Sequence, residues 1–192
     1  MQVGPLNWLL EHSRGQLKAL VLLISLIALP VIAGVYGALH DQVSFTISPE
    51  YFTRFKYDQF GFEPAWFGGH RPTVAVIGFL ATWWVGAFIG LFLGGTALLQ
   101  PDAPSMRKAI VRGVVITLGI AAVCALVGLA YGWFFLDGPP QGWFLPAEVL
   151  DTHAFLSVGS MHNASYGGGV LGLIIALIDM EWRRNKRKAS MA

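Results

Sequence analysis

The sequence predicts an all-α membrane protein, a bundle of four transmembrane helices. Of its 192 residues, 55% are hydrophobic and only 12% are charged, whereas about a quarter of the residues in a typical soluble domain are charged. Four apolar runs are each long enough to cross about 30 Å of hydrocarbon at a rise of about 1.5 Å per residue. Glycines recur at four-residue spacing in three of these runs, as they do where membrane helices pack closely.

The predicted helices span about 17–40, 73–99, 109–136 and 154–181. We expect a single domain over residues 1–192, because no repeat, linker or low-complexity stretch interrupts the chain. The first run is much longer than the roughly 7–15 residues of a signal-peptide core, so we expect it to remain as a membrane anchor. The glycines predicted to mediate helix packing are Gly86, Gly90, Gly94, Gly128, Gly132, Gly168 and Gly172.

The distribution of basic residues predicts the orientation of the chain in the membrane. Ten of the thirteen Lys and Arg residues lie in the N-terminal segment, in the second connection and in the tail 182–192. Cytoplasmic segments of membrane proteins carry such an excess, so we expect both termini to face the cytoplasm. The cations of the tail lie just beyond a spanning helix, which favours contact with the lipid bilayer and excludes nucleic acid as the expected partner.

The largest predicted segment outside the bilayer is an outer loop, residues 41–72. Apolar and polar residues alternate over 42–48, which is typical of a short half-buried strand. A helix signal follows, with Ser48 as the cap, Pro49 at the first position and Glu50 in the first turn. The sequence therefore predicts a short mixed strand and helix loop between helices 1 and 2.

Polar groups converge at one predicted depth. Counting at about 1.5 Å per residue from the inner charge of each helix brings His40, His162, Tyr131 and Trp83 to the outer edge of the hydrocarbon. Histidine and carboxylate side chains together bind Zn, Fe, Mn or Cu. The predicted metal ligands are His40, Asp41, Glu50 and His162.

Further residues near this level are predicted to support the ligands or to contact a bound molecule: Tyr36, Gln42, Trp83, Trp84, Tyr131, Asn163, Ser165 and Tyr166. Tyr36 lies one turn before His40, and Tyr166 lies one turn after His162. Two alternatives stay open. Interfacial His, Tyr and Trp side chains are ordinary membrane anchors, and a hydrogen bond to another helix would also satisfy His162.

Other functions are left open by the sequence. It contains no HExxH, CxxC, Walker-type or GxSxG motif, so whether the protein is an enzyme is undecided. Haem between His40 and His162 is a weaker alternative to a metal ion, because one axial pair is the only haem signal. The protein could instead be an accessory subunit of a larger membrane complex, a homo-oligomer, or a lipid- or quinone-binding protein.

Three stretches, YGALHDQVSFTISPEYF, ATWWVGAFIG and HNASYGGGVLG, carry a family resemblance. Together they resemble a group of uncharacterised bacterial integral membrane proteins with H-D-Q, E-Y-F-T, T-W-W-V-G and H-x-x-S-Y motifs over four predicted spans. The motifs fall on residues 40–42, 50–53 and 82–86, and on His162, Ser165 and Tyr166. The resemblance implies a four-helix protein of the bacterial inner membrane and implies no reaction.

Overall fold

A computed structural model describes the backbone of residues 5–190 and the side chains of residues 13–190. The elements in chain order are α1 (Pro5–Ile47), α2 (Pro49–Tyr51), a π-helical turn (Phe52–Lys56), α3 (Tyr57–Phe60), a 3₁₀ turn (Pro64–Phe67), α4 (His70–Ala97), α5 (Ala103–Phe135) and α6 (Thr152–Ala189). The described residues contain no β-strand. The prediction of an all-α protein is therefore confirmed.

Four of these helices, α1, α4, α5 and α6, contain windows long and apolar enough to cross a membrane. Many of their Leu, Ile, Val and Phe side chains are exposed, as expected for helices that face lipid. The chain is thus a multi-pass membrane protein. We call the end formed by residues 48–69 and 136–151 the loop end. The opposite end, with residues 98–102 and the C-terminal part of α6, is the basic end.

The predicted strand over 42–48 is wrong, because α1 continues through Ile47. Extending an existing helix requires no new nucleus, so a short run with β-like alternation can remain helical. The polar residues of the run bond back along the helix: the Ser44 hydroxyl donates to the carbonyl of His40 at 3.1 Å, and the Thr46 hydroxyl donates to that of Gln42 at 2.9 Å. The predicted end of the helix at residue 40 was therefore too early.

The segment 48–60 folds back over the loop end of the bundle. Ser48 begins it in an extended conformation, with φ −138° and ψ 91°, and Pro49 occupies the first helical position. The helical path ends at Gly61, whose φ of 66° is left-handed. Phe52 is fully buried among residues of α4 and α6, so this segment is part of the core.

The four long helices form two tight pairs. α1 packs along α4, and α5 packs along α6, whereas contacts between the two pairs are much sparser. All of the predicted packing glycines lie at these two crossings. A Cβ added to any of them would meet the partner helix, and at all but Gly90 the nearest partner atom would be less than 3 Å away.

The closest approach involves two glycines that the sequence reasoning missed. A Cβ on Gly78 would lie 2.4 Å from the carbonyl oxygen of Gly37, and a Cβ on Gly37 would lie 2.2 Å from that of Gly78. Gly78 continues the four-residue spacing of Gly86, Gly90 and Gly94 by way of Thr82. At this crossing the two backbones touch, so glycine is required on both helices.

Candidate metal centre

One cluster joins the two helix pairs near the loop end. His40 and Asp41 come from α1, and His162 comes from α6. One ligand atom from each residue lies within 4.8 Å of the other two. Asp41 is 4% exposed and His162 is 7% exposed, so the group is shielded from solvent. Ionisable groups inside a membrane protein are costly unless they are paired or functional.

Four donor atoms face one another in this cluster. Oδ1 of Asp41 lies 3.3 Å from Nδ1 of His40 and 3.7 Å from Nε2 of His162. The hydroxyl oxygen of Ser44 lies 3.1 Å from Nε2 of His162 and 3.5 Å from Nδ1 of His40. A tetrahedral ion with bonds of about 2.0–2.1 Å separates its ligands by about 3.3–3.4 Å. These four spacings bracket that value, and the ligand atoms of the three residues span at most 4.8 Å.

Aromatic rings cover the cluster. The ring of Tyr51 stacks on that of His162 at a centroid distance of 4.9 Å and an angle of 28°. The ring of Phe52 lies 6.4 Å from the His162 ring. The two imidazoles meet edge to face at 4.7 Å. The folded-back segment 48–60 therefore covers the ring of His162 and shields it from water.

Lys56 is a nearby cation that the sequence reasoning did not place at the site. It ends the π-helical turn, and its ammonium lies 5.0 Å from the Phe55 ring centroid and 5.7 Å from that of Tyr51. Burial lowers the pKa of Lys56, and the negative charge of Asp41 partly opposes this effect. π-helical turns are frequent at functional sites, but they have no sequence signature that would have located this lysine.

A narrow cleft runs between the helix pairs from the cluster toward mid-membrane. It has a volume of ≈ 60 Å³, and residues of α1, α4, α5 and α6 line it. Tyr36, Ser165 and Tyr166, three of the predicted supporting residues, line it together with the cluster. The hydroxyls of Tyr36 and Ser165 are hydrogen-bonded at 2.9 Å.

Nε2 of His40 is buried and has no hydrogen-bond partner among the described residues. His40 itself lines the cleft. Buried polar atoms without a partner are rare in folded proteins, so each one needs an explanation. A ligand in the cleft with an acceptor atom would satisfy this nitrogen.

Glu50, the fourth predicted ligand, does not belong to the metal-binding group. Its carboxylate instead accepts hydrogen bonds from the backbone N–H groups of Leu150 at 3.0 Å and Asp151 at 2.8 Å. These bonds, that of Asp151 first, lower the pKa of Glu50. The sequence predicted Glu50 as a ligand over the bundle mouth, but its carboxylate binds the free N–H groups before α6 instead.

We expect Glu50→Ala to loosen the chain that precedes α6. A carboxylate whose pKa is lowered in the folded state contributes stability above its unfolded pKa, and loses it as pH falls through the folded pKa. Amide hydrogen exchange at Leu150 and Asp151 should therefore be several-fold faster in the variant at pH 7, while Glu63→Ala should leave it unchanged. Equal exchange in the wild type and Glu50→Ala would contradict this role.

The side chains of the remaining predicted supporting residues point away from the cluster. Gln42 donates its side-chain amide to the carbonyl of Arg71 at 2.9 Å. The other four have exposed side chains on the helix surfaces: Trp83, Trp84, Tyr131 and Asn163. A depth count concerns only the level along the bundle and gives no direction in which a side chain points.

Comparison with known proteins adds no relative from which a role could be transferred. No protein-family model matches the chain, and neither a curated protein nor a solved structure shows significant similarity to it.

Proposed function

We propose that this is a protein of the bacterial inner membrane that binds one divalent transition metal ion at the outer, periplasmic mouth of its bundle. The proposed ligands are His40, Asp41 and His162. The observation that carries the proposal is the spacing of their ligand atoms, all within 4.8 Å of one another in a buried cluster. Both termini face the cytoplasm in this proposal, because the basic end carries most of the Lys and Arg residues.

Charge balance supports a metal ion. A carboxylate in a membrane interior is costly unless a positive charge lies beside it. Lys56 is one such charge. A divalent ion bound directly to the Asp41 carboxylate would add a closer one, and two neutral imidazoles would complete the ligand set. Two histidines and one carboxylate suit Zn²⁺, and the same set also binds non-haem Fe²⁺.

The ligand count suggests a reactive site. Catalytic zinc sites have three protein ligands and keep a fourth position for water or substrate, whereas structural zinc sites are closed by four protein ligands. The hydroxyl of Ser44 lies at hydrogen-bond distance from His162. Once Nε2 binds the ion it cannot also accept this hydrogen bond, so the hydroxyl is placed to bond a water molecule in the fourth position.

Cobalt titration tests the site and the role of Ser44. Chelator-treated protein in mild detergent should bind one Co²⁺ per chain, with visible absorption bands of tetrahedral cobalt that excess Zn²⁺ abolishes. Ser44→Ala should weaken binding by about 10–100-fold, the usual cost of losing a group that hydrogen-bonds to an atom bound to the metal. Ser25→Ala is the matched control, because Ser25 is also buried and bonds only within its own helix. Failure of the wild type to bind Co²⁺ would refute the proposal.

A second candidate function is binding of a lipid or quinone whose polar head enters the cleft, because the volume of ≈ 60 Å³ is too small for the whole molecule. The unpartnered Nε2 of His40 favours it, because a carbonyl or hydroxyl oxygen in the cleft would accept its hydrogen. Mass spectrometry of solvent extracts from the purified protein should then find one bound lipid or quinone per chain. Val85→Phe, which fills the cleft away from the cluster, should remove this molecule and leave the metal in place. An extract without such a molecule would exclude this candidate.

A further inference from the structure

A second, larger cavity lies at the basic end, far along the bundle from the metal centre. It has a volume of ≈ 460 Å³ and is formed by α5, α6 and Gln100. The charged side chains that line it are five cations and one carboxylate: Lys108, Arg112, Arg183, Lys186, Arg187 and Asp179. The cavity therefore has a strong excess of positive charge.

Asp179 compensates only part of this charge. Its carboxylate accepts from Nε of Arg112 at 2.7 Å and from Nε of Arg183 at 3.0 Å. The single negative charge is thus shared between two guanidinium groups. No further carboxylate lines the cavity.

The other three cations have no carboxylate in an ion pair within the described part of the chain. Arg187 donates to the side-chain oxygen of Gln100, which is neutral. The ammonium of Lys186 lies 4.0 Å from the ring centroid of Trp182. Lys108 and Lys186 are both exposed, so their charges are available to a ligand.

A shallow groove continues from this cavity along one face of α5, and it is lined by three cations and three apolar side chains: Arg107, Lys108, Arg112, Val111, Val115 and Ile116. The two features share Lys108 and Arg112, and the groove has a volume of ≈ 520 Å³. Val111 and Val115 line the groove and are 57% and 65% exposed. Cations beside apolar side chains along a membrane helix match a molecule with an anionic head and a hydrocarbon chain.

We propose that an anionic phospholipid binds here. Its phosphate lies among Lys108, Lys186 and Arg187, and one acyl chain follows Val111 and Val115. Basic pockets between membrane helices bind anionic headgroups because each cation near the membrane surface adds attraction. The groove favours a lipid over free phosphate, which has no chain to place there.

The test uses the full chain in nanodiscs made of phosphatidylcholine with or without phosphatidylglycerol. Native mass spectrometry after graded delipidation should show one phosphatidylglycerol retained in preference to phosphatidylcholine. Lys108→Ala/Lys186→Ala should reduce this retention by about fivefold for each lysine. The control is the double variant Arg54→Ala/Lys188→Ala, which removes the same number of positive charges outside the cavity. This variant should retain the lipid. Val115→Ser should weaken retention of the lipid without affecting binding of inorganic phosphate.

Three outcomes would overturn the proposal. The first is equal retention of the two lipids by the wild type. The second is equal loss of phosphatidylglycerol in the lysine variant and in the charge-matched control, which would indicate net charge alone. The third is tight binding of inorganic phosphate in pure phosphatidylcholine nanodiscs without any preference for phosphatidylglycerol, which would identify a soluble anion as the ligand. Thermal unfolding of each variant confirms that it is folded.

Discussion

Gly78→Ala should destabilise the protein by about 1–3 kcal/mol, the usual cost of overpacking a tight interior. The new Cβ would lie 2.4 Å from the carbonyl oxygen of Gly37 and 2.6 Å from its carbonyl carbon. Both are backbone atoms, so α1 and α4 would have to separate. Because His40 lies one turn beyond Gly37 on α1, we also expect weaker metal binding.

Gly95→Ala is the matched control for this prediction. Gly95 lies on the same helix, and a Cβ there would meet nothing within 4 Å. Alanine is favoured over glycine in a helix by about 1 kcal/mol, so this variant should be as stable as the wild type or more stable. Unfolding in mixed micelles with increasing denaturing detergent measures both variants. Equal stability of the two would show that the α1–α4 crossing is not as close as described.

Asp41→Asn should weaken metal binding without destabilising the metal-free protein. The variant keeps the shape of the side chain but removes the anionic ligand, so Zn²⁺ affinity should fall by more than the 10–100-fold that loss of a supporting group costs. Without metal, a buried carboxylate costs desolvation energy that asparagine avoids. The metal-free variant should therefore be at least as stable as the metal-free wild type.

Competitive titration with a chromophoric chelator measures the affinity, and unfolding in EDTA measures the stability. Asp58→Asn is the control, because Asp58 is exposed at the loop end and lies outside the cluster. If Asp41 only organises hydrogen bonds, Asp41→Asn would destabilise the metal-free protein and leave Zn²⁺ affinity unchanged. That pattern would assign the cluster a structural role.

The sequence predicted the four long helices because length and hydrophobicity alone decide them. It also predicted that His40 and His162 lie at one depth, because the rise per residue of a helix is regular enough for depth to be counted in residues. Depth is only one coordinate, however. The direction of a side chain around the helix depends on packing, so Tyr36 and Ser165 line the cleft whereas Trp83 and Tyr131 are exposed.

The loop end was less predictable for physical reasons. Over 42–48 the alternating pattern favours a strand, but a helix that already exists is extended at little cost. Glu50 is an acid near the bundle mouth, and only the structure shows the N–H groups of Leu150 and Asp151 that its carboxylate meets. The position of Lys56 depends on a π-helical turn, which has no sequence signature.

Metal content tests the central claim most directly. The protein should be purified in mild detergent without added metal or chelator, beside His162→Ala and the control His153→Ala. His153 lies outside the cluster, with its ring nitrogen 2.8 Å from the carbonyl of Trp133. Elemental analysis should find about one equivalent of Zn, Fe, Mn or Cu in the wild type and in His153→Ala, and none in folded His162→Ala. A wild type without metal, or His162→Ala with a full equivalent, would contradict the assignment of this cluster as a metal centre.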